Sequence, residues 1–202
     1  MRKSIRFMPA LALGIAGAIL HGNSAVATPI TYVEDATATG SLGGVAFTDA
    51  TVTLTMMNDT TNVTNPSTGL FLNIGTATVS VDGAAPVAFT DSIAVFSNQS
   101  VSVGGFADVS FTTPLDILDT TNAAFAAYDL KSFIGPISGS PSNIDFNISF
   151  PTADGAFILT SVAGPTSTFT ATATAAVPEP ASLSLLAAAL AGLGLIRRRK
   201  TS

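Results

Sequence analysis

The chain has 202 residues, 47% of them apolar and only 10% charged, less than half the charged share of roughly 25% found in ordinary globular domains. All thirteen carboxylates lie between Glu34 and Glu179, and the stretch 28–180 contains one base, Lys131. That net −12 repels phosphate backbones and excludes nucleic acid as a partner. There is no cysteine, and the one histidine is His21, so thiolate nucleophiles, Cys/His zinc centres and acylated cysteines are excluded.

Residues 1–27 read as a secretory signal peptide. Arg2, Lys3 and Arg6 form a basic start, and 7–20 is an apolar run broken by Pro9, Gly14 and Gly17. The run is short for a stable membrane span. Ala25 and Ala27 supply the small side chains a signal peptidase requires, which predicts cleavage before Thr28 and removes His21.

Residues 28–176 form the exported domain, and their hydrophobic pattern has period two. Val52, Leu54 and Met56 alternate with Thr51, Thr53 and Thr55; Ala77, Val79 and Val81 alternate with Thr78 and Ser80. Ile144, Phe146, Ile148 and Phe150 alternate with Asp145, Asn147 and Ser149. Strands with one apolar and one hydroxyl-rich face suit an antiparallel sandwich. Further strands are predicted at 45–47, 70–74, 87–90, 93–96, 101–106, 109–112, 156–162 and 166–175. Residues 121–130 suit either a short helix capped by Thr120 or Thr121, or an edge strand presenting Phe125, Tyr128 and Leu130. Turn signals occur at Gly43-Gly44, Asp82-Gly83, Gly104-Gly105, Gly135-Pro136 and Asp154-Gly155. The last is the strongest hairpin candidate, and Pro151 implies a loop longer than two residues there. The fold class is therefore all-β: an antiparallel β-sandwich of roughly eight to ten strands, folding without disulfide, metal or cofactor.

Residues 177–202 form a third unit. Val177, Pro178, Glu179 and Pro180 precede sixteen uncharged residues, 181–196, and then Arg197, Arg198, Arg199 and Lys200. Two prolines around one glutamate hold the tetrapeptide extended, the form in which proteases and transpeptidases take up a substrate backbone. As a helix, 181–196 would be about 24 Å long, slightly short of the roughly 30 Å hydrocarbon core. Its six leucines and Ile196 favour insertion weakly, and the basic cluster stops the chain on the cytoplasmic side. This reads as a single transmembrane helix with the domain outside.

Pro-Glu-Pro, a short apolar helix and a terminal arginine cluster, in a chain with a signal peptide, resemble the PEP-CTERM sorting signal of bacterial exosortase substrates. The resemblance covers 177–200. It implies recognition and processing by a membrane-embedded exosortase, then release to the cell surface or an extracellular polysaccharide matrix. The expected partners are the secretion machinery, signal peptidase, that exosortase and extracellular polysaccharide.

Within 28–176 no nucleophile has a histidine base, so no catalytic residue is assigned and the chain is read as non-enzymatic. No metal site is assigned. Asp116, Asp119, Asp145 and Asn147 offer hard oxygen donors that could suit calcium, but none has the spacing of a dedicated loop, and turn aspartates facing solvent are the expected alternative. Thr166, Thr168, Thr170, Thr172 and Thr174 would form a row of hydroxyls on one strand face. The leading expectation is a surface or matrix protein. The alternative is a carbohydrate-binding or adhesion module, disfavoured by the absence of Trp and the presence of only Tyr32 and Tyr128.

Overall fold

The computed structural model describes residues 28–173. These form twelve strands and two short 3-10 segments, with no α-helix among the described residues. The longest ladder joins β1 (Pro29–Leu42), β2 (Val45–Asp59) and β12 (Gly155–Ala173), with β1 in the middle. The β1–β2 turn is Gly43-Gly44, both at positive φ, as a two-residue hairpin between right-twisted strands requires. The sheet continues through β5 (Ala77–Val81) and β6 (Val87–Ala88) on one side and β10 (Ile134–Gly139) on the other. The short β11 (Phe150–Thr152) pairs with the first half of β12.

A second sheet has the order β3-β4-β7-β8-β9. Its strands are β3 (Val63–Ser67), β4 (Leu70–Gly75), β7 (Ile93–Asn98), β8 (Val103–Asp108) and β9 (Leu115–Thr121). All pairings in both sheets are antiparallel.

The core lies between the two sheets. Ile30, Tyr32, Val52, Leu54, Met56, Val79 and Phe169 from the larger sheet meet Ile93, Val95, Phe106, Ile117 and Leu118 from the smaller. Each such side chain contributes roughly 1.5–3 kcal/mol on leaving water. Phe169 is ringed by Tyr32, Phe125 and Tyr128, with Phe125 edge-on at 5.3 Å. A second aromatic group gathers Phe47 and Phe89 on Phe157.

The larger sheet also closes on itself at one end. Phe89, just beyond β6, bridges Thr152 of β11; Thr90 N donates to Pro151 O at 3.0 Å and Ala153 N to Ala88 O at 2.9 Å. A further bridge, Thr121 to Ser140, ties β9 to the continuation of β10. Both seams occupy backbone groups that would otherwise form open sheet edges.

Several expectations need correction. There are twelve strands, not eight to ten. β1, β3, β9 and β10 have no counterpart among the expected strands, while 45–47 and 51–56 form one strand, as do 156–162 and 166–173. Gly104-Gly105 lies inside β8 and Gly135-Pro136 inside β10; neither is a turn. Residues 144–149 are irregular: Asn147 has φ +62°, and its N–H donates to Leu159 O in place of a regular ladder. Residues 109–112 are a loop, because the buried Asp108 captures Ser110 N at 2.8 Å and ends β8. Residues 123–127 form a 3-10 turn capped by Asn122, not by Thr120 or Thr121. The β11–β12 turn is only Ala153-Asp154, with Pro151 inside the strand. Pro151 fits because its ring nitrogen faces away from β12, on the side where its carbonyl accepts from Thr90.

Candidate functional site

The predicted sorting and processing residues lie outside the described residues: Ala25, Ala27, Val177, Pro178, Glu179, Pro180, the segment 181–196, and Arg197, Arg198, Arg199 and Lys200. The fold does place the connections to them. Ile30 pairs with Ala173, and Thr60 N donates to Thr28 O at 3.0 Å. The chain therefore enters and leaves the domain at the same end.

The aspartates whose oxygens could suit calcium come together, but as loop anchors. Asp119 is fully buried, contrary to the expectation of a solvent-facing turn residue. Its Oδ1 accepts Ser142 N at 2.6 Å, and its Oδ2 accepts Ser142 Oγ and Asn143 N, both at 2.9 Å. Asp145 Oδ2 accepts Asp116 N at 2.8 Å, and Asp145 N donates back to Asp116 O at 2.9 Å. Both carboxylate oxygens of Asp119 and Oδ2 of Asp145 thus fasten 142–145 to β9. Among the described residues no group of three His, Cys, Asp or Glu could hold a metal ion.

Burial, then the negative charges of Asp119 and Asp145, push the Asp116 carboxyl up to about 7. This half-buried acid can hold or release a proton near neutrality. Other aspartates match the turn expectation. Asp82 accepts Thr51 N at 2.8 Å, and Asp59 caps the 3-10 segment Thr60–Asn62 by accepting Thr61 N at 2.7 Å. The two Thr61 hydrogen bonds hold Asp59 below the usual carboxylate range.

The threonine row extends into an array. Thr168 and Thr170 alternate with the buried Ser167, Phe169 and Ala171, while Thr166 lies in a bulge of β12 and Thr174 lies outside the described residues. Cross-strand register carries one line from Ser138 through Thr168, Asp35 and Thr53 to Ser80. The next runs Thr170, Val33, Thr55, Thr78. Such positions recur about every 4.8 Å across the sheet and about 6.7 Å along it. The sequence showed one row; the pairing of β12, β1, β2 and β5 supplied the rest.

Both tyrosines are buried and bonded: Tyr32 OH donates to Leu130 O at 2.6 Å, and Tyr128 OH to Ser132 O at 3.0 Å. Burial pushes the Tyr32 phenol up to about 12. The exposed rings among the described residues are Phe111, Phe133 and Phe146. Phe146 borders a shallow cavity of about 220 Å³ with Pro141, Ser142, Ile144 and Val162. A second, more apolar one of about 180 Å³ lies on the outer face of the five-stranded sheet, over Leu70, Leu72, Phe96 and Ala107. Both fall below the roughly 300–1,000 Å³ of small-molecule pockets.

A family model, the PEP-CTERM protein-sorting motif, matches residues 176–200. No curated protein and no solved structure matches the chain. The match falls on the segment where Pro-Glu-Pro, the apolar run and the basic cluster stand in order.

Proposed function

We propose that this chain is a non-enzymatic cell-surface or extracellular-matrix protein, exported by its N-terminal signal and processed at its C-terminus by an exosortase. The observation that carries the reading is the sorting-motif match over 176–200. The domain geometry supports it: both ends of the β-domain leave from one side, so a membrane tether leaves the sheets free outside. In this reading 181–196 holds the chain briefly in the membrane, Arg197 to Lys200 stop it there, and Val177 to Pro180 is presented to the enzyme. Replacing Pro178, Glu179 and Pro180 with alanine in a host with the matching exosortase should leave full-length protein in the membrane fraction. Processing and release at the wild-type rate would refute the role of the motif.

The hydroxyl array on the larger sheet favours a second reading, a face that holds extracellular polysaccharide. It has no aromatic ring on which a sugar could stack, so adhesion would rest on many weak hydrogen bonds. A Thr55→Lys, Thr170→Lys double variant should be retained less by purified matrix polysaccharide. Equal retention of wild type and variant would remove this reading and leave the sorting assignment intact.

A further inference from the structure

Glu34 lies inside the sandwich. It is fully buried, and its cross-strand neighbours are Leu54 on β2 and Phe169 on β12. A line of short oxygen–oxygen contacts starts at its carboxyl. Oε1 is 2.8 Å from Thr120 Oγ1, Thr120 Oγ1 is 2.6 Å from Ser167 Oγ, and Ser167 Oγ is 2.7 Å from the main-chain carbonyl oxygen of Asp119. Oxygens this close need a hydrogen between them.

Three contacts need three hydrogens. Thr120 and Ser167 supply one each, and the Asp119 carbonyl supplies none. If Ser167 donates to Asp119 and Thr120 donates to Ser167, only Glu34 is left to donate to Thr120. If Thr120 turns to Glu34 instead, one of the remaining contacts faces lone pair to lone pair.

We infer that Glu34 is a neutral carboxylic acid donating from Oε1 to Thr120, and that its proton is a clasp joining β1 and β12 of one sheet to β9 of the other. The groups around it agree. Among the described residues the charges that act on it are all acidic: Asp119 and Asp116 on β9, and Asp35 beside it on β1. β10 and β12 carry no titratable side chain. Burial is the largest influence and raises its proton affinity well above that of an ordinary glutamate, more than the Thr120 bond lowers it. Among the described residues Oε2 has no hydrogen-bond partner, which costs less for a neutral acid than for a carboxylate.

Because the folded state binds this proton more tightly than the unfolded chain, the clasp is whole in acid and is lost as pH rises through the folded pKa. Alkali therefore opens the bond between the sheets.

Glu34→Gln tests this, because its amide can donate to Thr120 at any pH. In denaturant melts from pH 5 upward, the folding constant of wild type should fall relative to Glu34→Gln by about tenfold per pH unit until Glu34 titrates. Parallel profiles would overturn the inference. If the variant does not fold, wild type still decides. The chain has only two glutamates, Glu34 and Glu179, so carboxyl-13C glutamate labelling gives two resonances, assigned with Glu179→Gln. The Glu34 signal should stay at the protonated position at pH 6; a carboxylate shift there would overturn the proposal.

Discussion

At the scale of single residues, the positions that matter most are those where composition misleads. Gly104 resembles a turn residue, yet it faces the core, and an added Cβ would lie 2.3 Å from the Phe125 ring. Phe125 is fully buried against Phe169, so it has little room to give. Gly104→Ala should therefore cost about 1–3 kcal/mol, the usual penalty of overpacking, in a denaturant melt. Asp119 resembles one more exposed aspartate, yet it is buried and satisfied by three donors from Ser142 and Asn143. Asp119→Ala would strand those donors. We expect a loss of roughly 2–4 kcal/mol and faster amide hydrogen exchange at Ser142 and Asn143. Unchanged exchange at both amides would show that the loop holds itself.

At the scale of elements, period two was legible where the two faces of a strand differ cleanly. β2 is such a strand, with Val52, Leu54 and Met56 buried beneath its threonines. β1 is not. Its inward face carries Glu34, Ala36 and Ala38 while Val33 points out, so the central strand has the weakest pattern. The acid that spoils the pattern is neutralised by the clasp, a pairing 86 residues distant that local reading cannot see. The reverse holds at 144–150, where the sequence alternates and the backbone of 144–149 is irregular. Ile144 and Ile148 do pack against the core and Phe150 is buried, but the backbone between them bends at Asn147. Alternation reports which side chains are buried, not whether the chain is extended. The seam between β6 and β11 was equally invisible, since it depends on where Phe89 arrives. Phe89→Ala should destabilise by about 3–5 kcal/mol and speed hydrogen exchange at Thr90 and Ala153 more than at β9. Uniform loss of protection would mean that the seam has no separate existence.

At the scale of the whole molecule, the candidate site was legible at the ends of the chain and obscure in the middle. The sorting signal is carried by residue order, whereas the calcium candidates and the threonine face depend on register. The acids also give the domain a direction in pH. Asp116 and Glu34 both bind their protons more tightly when folded, so each contributes stability in acid that is lost with rising pH. For Asp116 the window runs from the ordinary aspartate value of 3.8 to about 7; for Glu34 it opens at the ordinary glutamate value of 4.5. Asp59, whose affinity is lowered, acts below 3.8 and does not offset them near neutrality. The domain should therefore melt at a higher temperature at pH 5 than at pH 8, and chelator should leave both midpoints unchanged. A midpoint that rises with pH would contradict the assignment of these two acids.

Sorting is tested most directly by the intact mass of the protein recovered from the surface or medium of its producing cells. The expected species begins at Thr28 and has lost the apolar segment 181–196 together with Arg197 to Lys200. A surface-located protein whose mass includes every residue through Ser202 would contradict it.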